Sequence, residues 1–384
     1  MLFQSVRPRE VPWSLVAIVL VLTAYGVTQV ASAVWDPEAP LDLGHEAAAQ
    51  LQWWMVSLVL MVVISHVSLG AWKSATWVFY GIGVATILMM QLLAGTAFVP
   101  EIKGQANWIV ITSRIRFQPV EFVKLGVLMG TARVISAPGF DARRLRDTII
   151  GLATAALPSL IIAKDDLGSA LTIPPMAFGM LYAAGMQVRW LVVGLALMGC
   201  MAVSVVFVLP KDGYQYKRVQ AWLHPDEYAL TEGYQTQRSM SAIGSGQWLG
   251  KGYAAGDQNR LGWVPEKHTD LILSVAGEEL GFVGTSMIVL LFIVFAFTGL
   301  ATAAQCREPF GRYLVTGFIC LLLGQGAINI SVATGLMPVT GVTLPFFSYG
   351  GSSLVAGYIG VGLAVSSCVA RRSGGGSRTT LLSA

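Results

Sequence analysis

The sequence predicts an all-α, polytopic membrane protein with about ten transmembrane helices. Of its 384 residues, 54% are hydrophobic and only 12% are charged, and the mean hydropathy is +0.64. Soluble globular domains carry about 25% charged residues. Because only helices and closed barrels can span lipid, and the apolar runs are continuous rather than alternating, the spans are predicted to be helices.

A transmembrane helix needs roughly 20 mostly apolar residues. The first run follows Arg7 and Arg9 without a clear small-residue cleavage site, so we interpret it as a span rather than a cleaved signal peptide. The apolar runs place ten spans at about 13–32, 52–68, 74–94, 119–137, 146–163, 168–184, 189–209, 272–300, 312–335 and 344–370.

The distribution of charge predicts that both termini lie in the cytoplasm. With the N-terminus inside, a Lys or Arg lies near the span ends of nearly every short inner connection. The first outer loop instead carries Asp36, Glu38, Asp42 and Glu46, with no Lys or Arg. This asymmetry is the positive-inside rule. It also accounts for the net charge of +4 without nucleic acid as a partner.

The predicted organisation is a single membrane domain over residues 1–372, followed by a flexible tail at 373–384. A large extracytoplasmic loop lies at about 210–271, between the seventh and eighth spans. Loops of this length are usually functional or disordered, and the aromatic residues here argue against disorder. The four cysteines show no C-x-x-C spacing, so neither a disulfide framework nor a zinc site is expected.

Asp270 is the main catalytic candidate. It ends the polar segment Pro265-Glu-Lys-His-Thr-Asp270, where the large loop meets the eighth span. A carboxylate at the edge of lipid is unfavourable and usually functional. The alternative is that Asp270 is the N-cap of the eighth span, with His268 and Thr269 as neighbours in the cap. Glu278 and Glu279 lie about two turns deeper, where we expect them to pair with basic groups of the bundle.

Two further charged motifs allow a structural and a functional interpretation. Glu121 and Lys124 are three residues apart and share one helix face, so they form either an internal ion pair or a groove in which Lys124 faces a phosphate. Asp166 is either a helix cap or a carboxylate that orients a basic residue across the groove.

Residues 335–353 predict a broken start to the last span. The segment contains Pro338, Pro345 and several glycines, and it follows Asn329, a polar side chain in the ninth span. Irregular backbone at membrane depth is tolerated where it lines a cavity. A tight turn with small-residue packing explains the glycines but not the hydroxyl groups around Ser348. The chain has no G-x-S-x-G, P-loop or H-E-x-x-H motif.

Taken together, these motifs resemble the SEDS family of bacterial cell-wall glycosyltransferases, which includes RodA and FtsW. The resemblance covers residues 10–372, and its Pro-Val-Thr-Gly form is similar to the RodA branch. The chain departs from the family pattern at Val120, where Ser is usual, and at Ala106-Asn107, where a basic residue often precedes the Trp. The matching motifs are Gly104-Gln-Ala-Asn-Trp108, Gln118-Pro-Val-Glu121-Phe-Val-Lys124, Asp166-Leu-Gly168, Arg218-Val219 with Trp222 and Pro225, Gly233-Tyr-Gln235, Gly244-Ser-Gly246, Pro265 to Asp270, Glu278-Glu-Leu-Gly281, and Pro338 to Ser353.

The resemblance implies a peptidoglycan glycosyltransferase that polymerises lipid II at the outer face of the bacterial cytoplasmic (inner) membrane. It implies a class B penicillin-binding protein as the transpeptidase partner. By analogy, Asp270 is the essential carboxylate. The residues expected to bind substrate are Trp108, Glu121, Lys124, Asp166, Arg218, Gln235, His268, Thr269 and Ser348.

On this hypothesis, Asp270 is the general base in a single displacement that inverts the anomeric centre. The leaving diphosphate needs positive charge, which Lys124, Arg218 or a divalent cation (Mg or Mn) could supply. The sequence does not choose among them. The alternative functions are a lipid II flippase, a secondary transporter, a non-catalytic scaffold, and a division-type polymerase of the same family.

Overall fold

The computed structural model describes residues 2–35, 44–101, 106–110, 116–208, 213–231 and 233–369. In these ranges the protein is almost entirely helical, with one antiparallel strand pair, β1 (Ile109–Val110) and β2 (Arg116–Phe117), and a 3-10 helix at Pro8–Glu10. The α-helices are α1 (Trp13–Ala33), α2 (His45–His66), α3 (Leu69–Leu92), α4 (Pro119–Ile135), α5 (Leu145–Ala163), α6 (Leu167–Leu171), α7 (Ile173–Ala183), α8 (Val188–Val208), α9 (Tyr214–Leu223), α10 (Tyr234–Ser245), α11 (Asp257–Arg260), α12 (Ile272–Gln305), α13 (Pro309–Ala333) and α14 (Gly351–Val369).

The helices confirm the predicted all-α, multi-pass membrane architecture. Seven of the described helices are long and apolar enough to cross a membrane, namely α1, α2, α3, α5, α12, α13 and α14. The other three predicted positions hold α4, the pair α6–α7 and α8. The total of ten spans stays a prediction, as do the positions of the termini, and the predicted tail at 373–384 lies outside the described residues.

The centre of the bundle is formed by α4, α13 and α14, whose side chains are mostly buried. Small residues let α14 approach its neighbours closely, since a Cβ at Gly360 would overlap the ring of Phe318 and one at Gly362 would lie 2.8 Å from the carbonyl oxygen of Met61. In contrast, α2, α3 and α12 expose apolar side chains on their outer faces, as lipid-facing helices do.

Two predicted span starts differ from the structure for a backbone reason. The last span was predicted from residue 344, but α14 begins only at Gly351, because Pro345 and the positive φ of Phe346 (62°) keep the preceding residues out of a helix. The broken start predicted for this span is therefore confirmed.

The eighth predicted span, 272–300, starts with α12 at Ile272 but contains a break. A continuous 34-residue helix would be about 51 Å long, well beyond the roughly 30 Å of a hydrocarbon core. The helix α12 is instead interrupted at Gly281, which has φ 65° and ψ −161°, a conformation reserved for glycine. Residues 272–280 form a separate, almost fully buried helix, and the span begins after the break.

The large loop is ordered in the residues that the structure describes, as its aromatic content predicts. It folds into α9, α10 and α11 and then wraps around the break in α12. The amides of Phe282 and Val283 donate to the carbonyl oxygens of Gln247 (2.8 Å) and Trp248 (3.1 Å). These bonds fix the loop to the first turn of the span.

We predict that Gly281→Ala destabilises the protein strongly. The backbone conformation alone costs about 1–3 kcal/mol for any other residue, and a Cβ there would overlap the backbone nitrogen of Gly250. The measurement is the apparent melting temperature in detergent. Gly81→Ala is the control, because Gly81 lies in α3 with nothing within 4 Å of its added Cβ. Equal melting temperatures for the two variants would contradict the prediction.

Candidate active site

Asp270 lies half-buried at the end of the large loop, directly before α12. The N-cap of α12 is Leu271. The alternative prediction, in which Asp270 is the N-cap, is therefore wrong. The carboxylate faces Gly341, whose added Cβ would lie 3.9 Å from Asp270 Oδ2. Asp270 therefore borders the irregular segment that precedes α14.

Asn329 holds Asp270 in this place. Its Nδ2 donates to the carbonyl oxygen of Asp270 (2.8 Å) and to that of Val342 (2.7 Å), and the side chain is fully buried. One amide group on α13 thus joins the loop carrying Asp270 to the irregular segment. The sequence identified Asn329 as a polar group in a span but not this double contact.

His268 contacts Tyr349, the residue that follows Ser348, across the same junction. The amide of Tyr349 donates to the carbonyl oxygen of His268 at 2.9 Å, and the two rings pack edge to face with centroids 5.6 Å apart. Thr269 Oγ1 donates to the carbonyl oxygen of Glu266, whereas Ser348 Oγ accepts from the amide of Leu344 at 2.9 Å. The hydroxyls of Thr269 and Ser348 thus form turn contacts, and their binding roles stay predictions.

Burial shifts the titration of the two basic residues before Asp270. It lowers the pKa of His268, against the nearby charges of Glu46 and Glu266. Burial also lowers the pKa of Lys267, whose Nζ donates to the carbonyl oxygen of Asn259 at 2.9 Å. Burial therefore disfavours the charged form of the His268 imidazole, two residues before Asp270.

Glu121 and Lys124 form the internal ion pair that the sequence offered as one alternative. Lys124 Nζ lies 2.8 Å from Glu121 Oε1 and 3.0 Å from Gln325 Oε1, and its side chain is 2% exposed. Gln325 in turn donates to the carbonyl oxygen of Thr343 at 3.1 Å. Sequence reasoning missed Gln325, although its four-residue spacing from Asn329 places both on one face of α13.

Asp166 caps α6, the structural alternative for this residue. Its Oδ1 accepts from the amide of Ser169 (2.9 Å) and its Oδ2 from the hydroxyl of Ser169 (2.7 Å). The next turn packs against the irregular segment, since a Cβ at Gly168 would overlap the carbonyl oxygen of Thr340. Asp166 therefore stabilises a turn that packs against the irregular segment.

Helix α9 of the large loop contacts the irregular segment through two side chains. Arg218 on α9 donates from Nη1 to the carbonyl oxygen of Val339 at 2.9 Å, and Trp222 Nε1 donates to that of Gly335 at 3.0 Å. Arg218 is thereby anchored two residues from Gly341, the neighbour of Asp270. Trp108 lies directly before β1 and Gln235 in the first turn of α10, both half-buried, and their role in binding stays a prediction.

Glu278 and Glu279 are fully buried, but their partners differ from those expected. Glu278 binds Lys251 Nζ (2.8 Å) and the amide of Gln258 (3.0 Å), both from the large loop. Glu279 accepts a hydrogen bond from the hydroxyl of Ser32 on α1. Among the described contacts, Glu279 has no basic partner. The expected basic partner is present for Glu278, but it lies on the large loop rather than in the bundle, and Glu279 is bound by the neutral groups of Ser32 and Asn259.

The fold and the site define a polytopic membrane protein with a polar site at one end of the helical bundle, covered by an ordered loop. The model of the FtsW/RodA/SpoVE family, described as cell cycle proteins, matches residues 12–372. The chain belongs to this family, which confirms the resemblance drawn from its motifs.

Named relatives match over most of the chain. The probable peptidoglycan glycosyltransferase FtsW of Geobacter sulfurreducens is 32% identical over 358 residues, covering 89% of this chain and 91% of the relative. The peptidoglycan glycosyltransferase MrdB of Escherichia coli K12 is 34% identical over 312 residues, covering 81% of this chain and 82% of the relative. Relatives of both names are thus similar to this chain.

Solved structures agree with the fold. A chain from a peptidoglycan synthase complex, studied for its coordination of polymerization and crosslinking, matches with a TM-score of 0.77 and 29% identity over 94% of this chain and 98% of that one. The crystal structure of the rod shape determining protein RodA of Thermus thermophilus matches with a TM-score of 0.66 and 26% identity, covering 94% and 97%.

We predict that Lys124→Met destabilises the protein by about 3–5 kcal/mol, because it leaves the buried Glu121 carboxylate without its ion-pair partner. The double variant Glu121→Gln/Lys124→Met should recover most of this loss, since neither charge remains buried. Apparent melting temperatures test both. Lys73→Met is the control, as its pair with Glu308 is partly exposed and worth about 1 kcal/mol or less. A double variant no more stable than Lys124→Met would show that the pair is not the cause.

We predict that His268 makes the protein less stable in acid. Since its folded pKa is lowered, the unfolded chain takes up the proton first as the pH falls below about 6.5, which favours unfolding. The parental melting temperature should therefore drop more between pH 7.5 and 5.5 than that of His268→Gln. An equal drop in melting temperature for the two proteins would show that the titration of His268 does not contribute to the acid sensitivity.

Proposed function

We propose that this protein is a peptidoglycan glycosyltransferase that polymerises lipid II into glycan strands with release of undecaprenyl diphosphate. The observation that carries the proposal is a half-buried carboxylate, Asp270, fixed at the mouth of a polar site in a chain of the FtsW/RodA/SpoVE family. The names of its relatives support the same activity. The Pro338-Val-Thr-Gly341 motif favours cell-wall elongation and cell shape as its setting.

In the proposed reaction, Asp270 accepts the proton of the acceptor sugar 4-hydroxyl. The hydroxyl oxygen bonds to the anomeric carbon of the donor as the bond from that carbon to the diphosphate oxygen breaks. One displacement inverts the anomeric centre, so no second carboxylate is required as a nucleophile. The contact from Asn329 restrains the backbone of the base, which favours a fixed position for proton transfer.

We assign to Arg218 the role of stabilising the negative charge of the leaving diphosphate. Lys124 is buried and bound to Glu121 and Gln325. Arg218 is anchored over the segment beside Asp270, and a planar guanidinium matches the geometry of phosphate oxygens. Within the described ranges there is no group of three or more His, Cys, Asp or Glu side chains that could hold a metal. A divalent cation thus has no ready-made set of protein ligands among these residues.

We further propose that the site faces outward from the bacterial cytoplasmic membrane, with both termini in the cytoplasm. The distribution of Lys and Arg in the sequence supports this orientation. The proposed partner is a class B penicillin-binding protein that crosslinks the strands. A structural relative comes from a peptidoglycan synthase complex, which supports such an assembly.

The test is polymerisation of lipid II by the purified protein, alone and with a class B penicillin-binding protein. The parental protein should form glycan polymer, and Asp270→Asn should lose about 10²–10⁴-fold in rate, the usual contribution of a general base. Asp226→Asn, which changes an exposed carboxylate of the same loop, should retain the parental rate.

Each failure has a distinct meaning. If the parental protein forms no polymer in either assay, the enzymatic function is wrong, and a flippase or scaffold would explain the site better. If the parental protein is active and Asp270→Asn is equally active, the function stands but the assignment of the base is wrong.

A further inference from the structure

An apolar tip projects from the large loop beside the break in α12. Its loop residues, Trp248 and Leu249, are 71% and 79% exposed, and the first residues of the span after the break, Phe282 and Val283, are exposed beside them. We call these four residues the Trp248 tip. Large apolar side chains exposed together in this way mark an interaction surface.

The Trp248 tip is held in a fixed conformation. Phe282 and Val283 donate their amides to the loop, and the rings of Trp248 and Phe282 pack edge to face with centroids 5.2 Å apart. Gly250 follows with φ 76°, and a Cβ there would overlap the carbonyl oxygen of Glu279. The exposed side chains therefore lie on backbone that hydrogen bonds and close packing hold in one conformation.

The length of the span sets the height of the Trp248 tip. From the break at Gly281 to the end of α12 at Gln305, the helix rises about 36 Å, slightly more than the roughly 30 Å of a hydrocarbon core. Arg307 and Glu308 follow after Cys306 and mark the opposite polar boundary. Phe282 then lies at the boundary between acyl chains and headgroups on the loop side, where Trp is enriched.

The charges around the Trp248 tip also favour lipid. The stretch from Ile243 to Gly250 contains no charged residue. Lys251 turns back toward the protein, where its Nζ binds Glu278 at 2.8 Å and Asp257 at 3.0 Å. The surface of the tip is thus continuous with the lipid-facing side of α12 and is not interrupted by a carboxylate.

We propose that the Trp248 tip is a lipid anchor, which inserts Trp248 and Leu249 into the loop-side leaflet at the level of the headgroups. Its partner is the bilayer itself. The anchor attaches the loop to the membrane close to the residues through which that loop binds Glu278 and Glu279. It therefore sets the height of the loop above the bilayer, and this role is independent of the enzymatic activity proposed above.

The test is the depth of spin labels in the full chain, with its four native cysteines replaced by alanine, in nanodiscs of phosphatidylethanolamine and phosphatidylglycerol. Labels are placed by Leu249→Cys, by Ile293→Cys in the middle of the lipid-facing span, and by Asp226→Cys at an exposed charged position of the loop. Oxygen concentrates in acyl chains and a nickel chelate in water, so the ratio of their collision rates reports depth.

We expect the ratio at position 249 to exceed that at 226 several-fold and to lie below that at 293. A ratio at 249 equal to that at 226 would overturn the proposal, because the tip would then face water and only a protein partner could cover it. Trp248→Ser should lower the ratio at 249, whereas Trp248→Tyr should preserve it. An unchanged ratio in Trp248→Ser would overturn the role of Trp248, and an unchanged ratio at 293 in that variant verifies that the span is intact.

Discussion

The burial of two adjacent carboxylates, Glu278 and Glu279, is the constraint on which this end of the molecule depends. A buried charge is strongly unfavourable unless it is paired and hydrogen-bonded. The loop supplies those partners through Lys251, backbone amides and Asn259, and α1 adds the hydroxyl of Ser32. These contacts hold the large loop against the buried first part of α12, the helix whose start Asp270 flanks.

The same constraint explains the break in α12. A loop can reach both carboxylates only if its backbone passes very close to the helix, and Gly246, Gly250 and Gly281 leave no room for side chains at those approaches. The break then separates a short buried helix from the lipid-facing span. The part of α12 before Gly281 is therefore buried in the protein, and the part after it faces lipid.

The candidate site is assembled from parts that are distant in the sequence. Asn329 and Gln325 on one face of α13 connect the Asp270 segment, the irregular segment before α14, and the buried pair on α4. Strained backbone flanks the site on both sides, with positive φ at Glu266 and Phe346. Such conformations persist where the surrounding structure imposes them, and they concentrate at functional sites.

The sequence by itself determined the class of protein, the approximate position of the spans, and Asp270 as the principal candidate, because hydrophobic length and a carboxylate at a span boundary are local properties. Only the tertiary structure decided that Leu271 is the N-cap of α12, that Glu121 and Lys124 neutralise each other, and that Glu278 pairs with a loop lysine. The partner of a buried polar group depends on which distant segment folds against it. Neither local composition nor spacing specifies that contact.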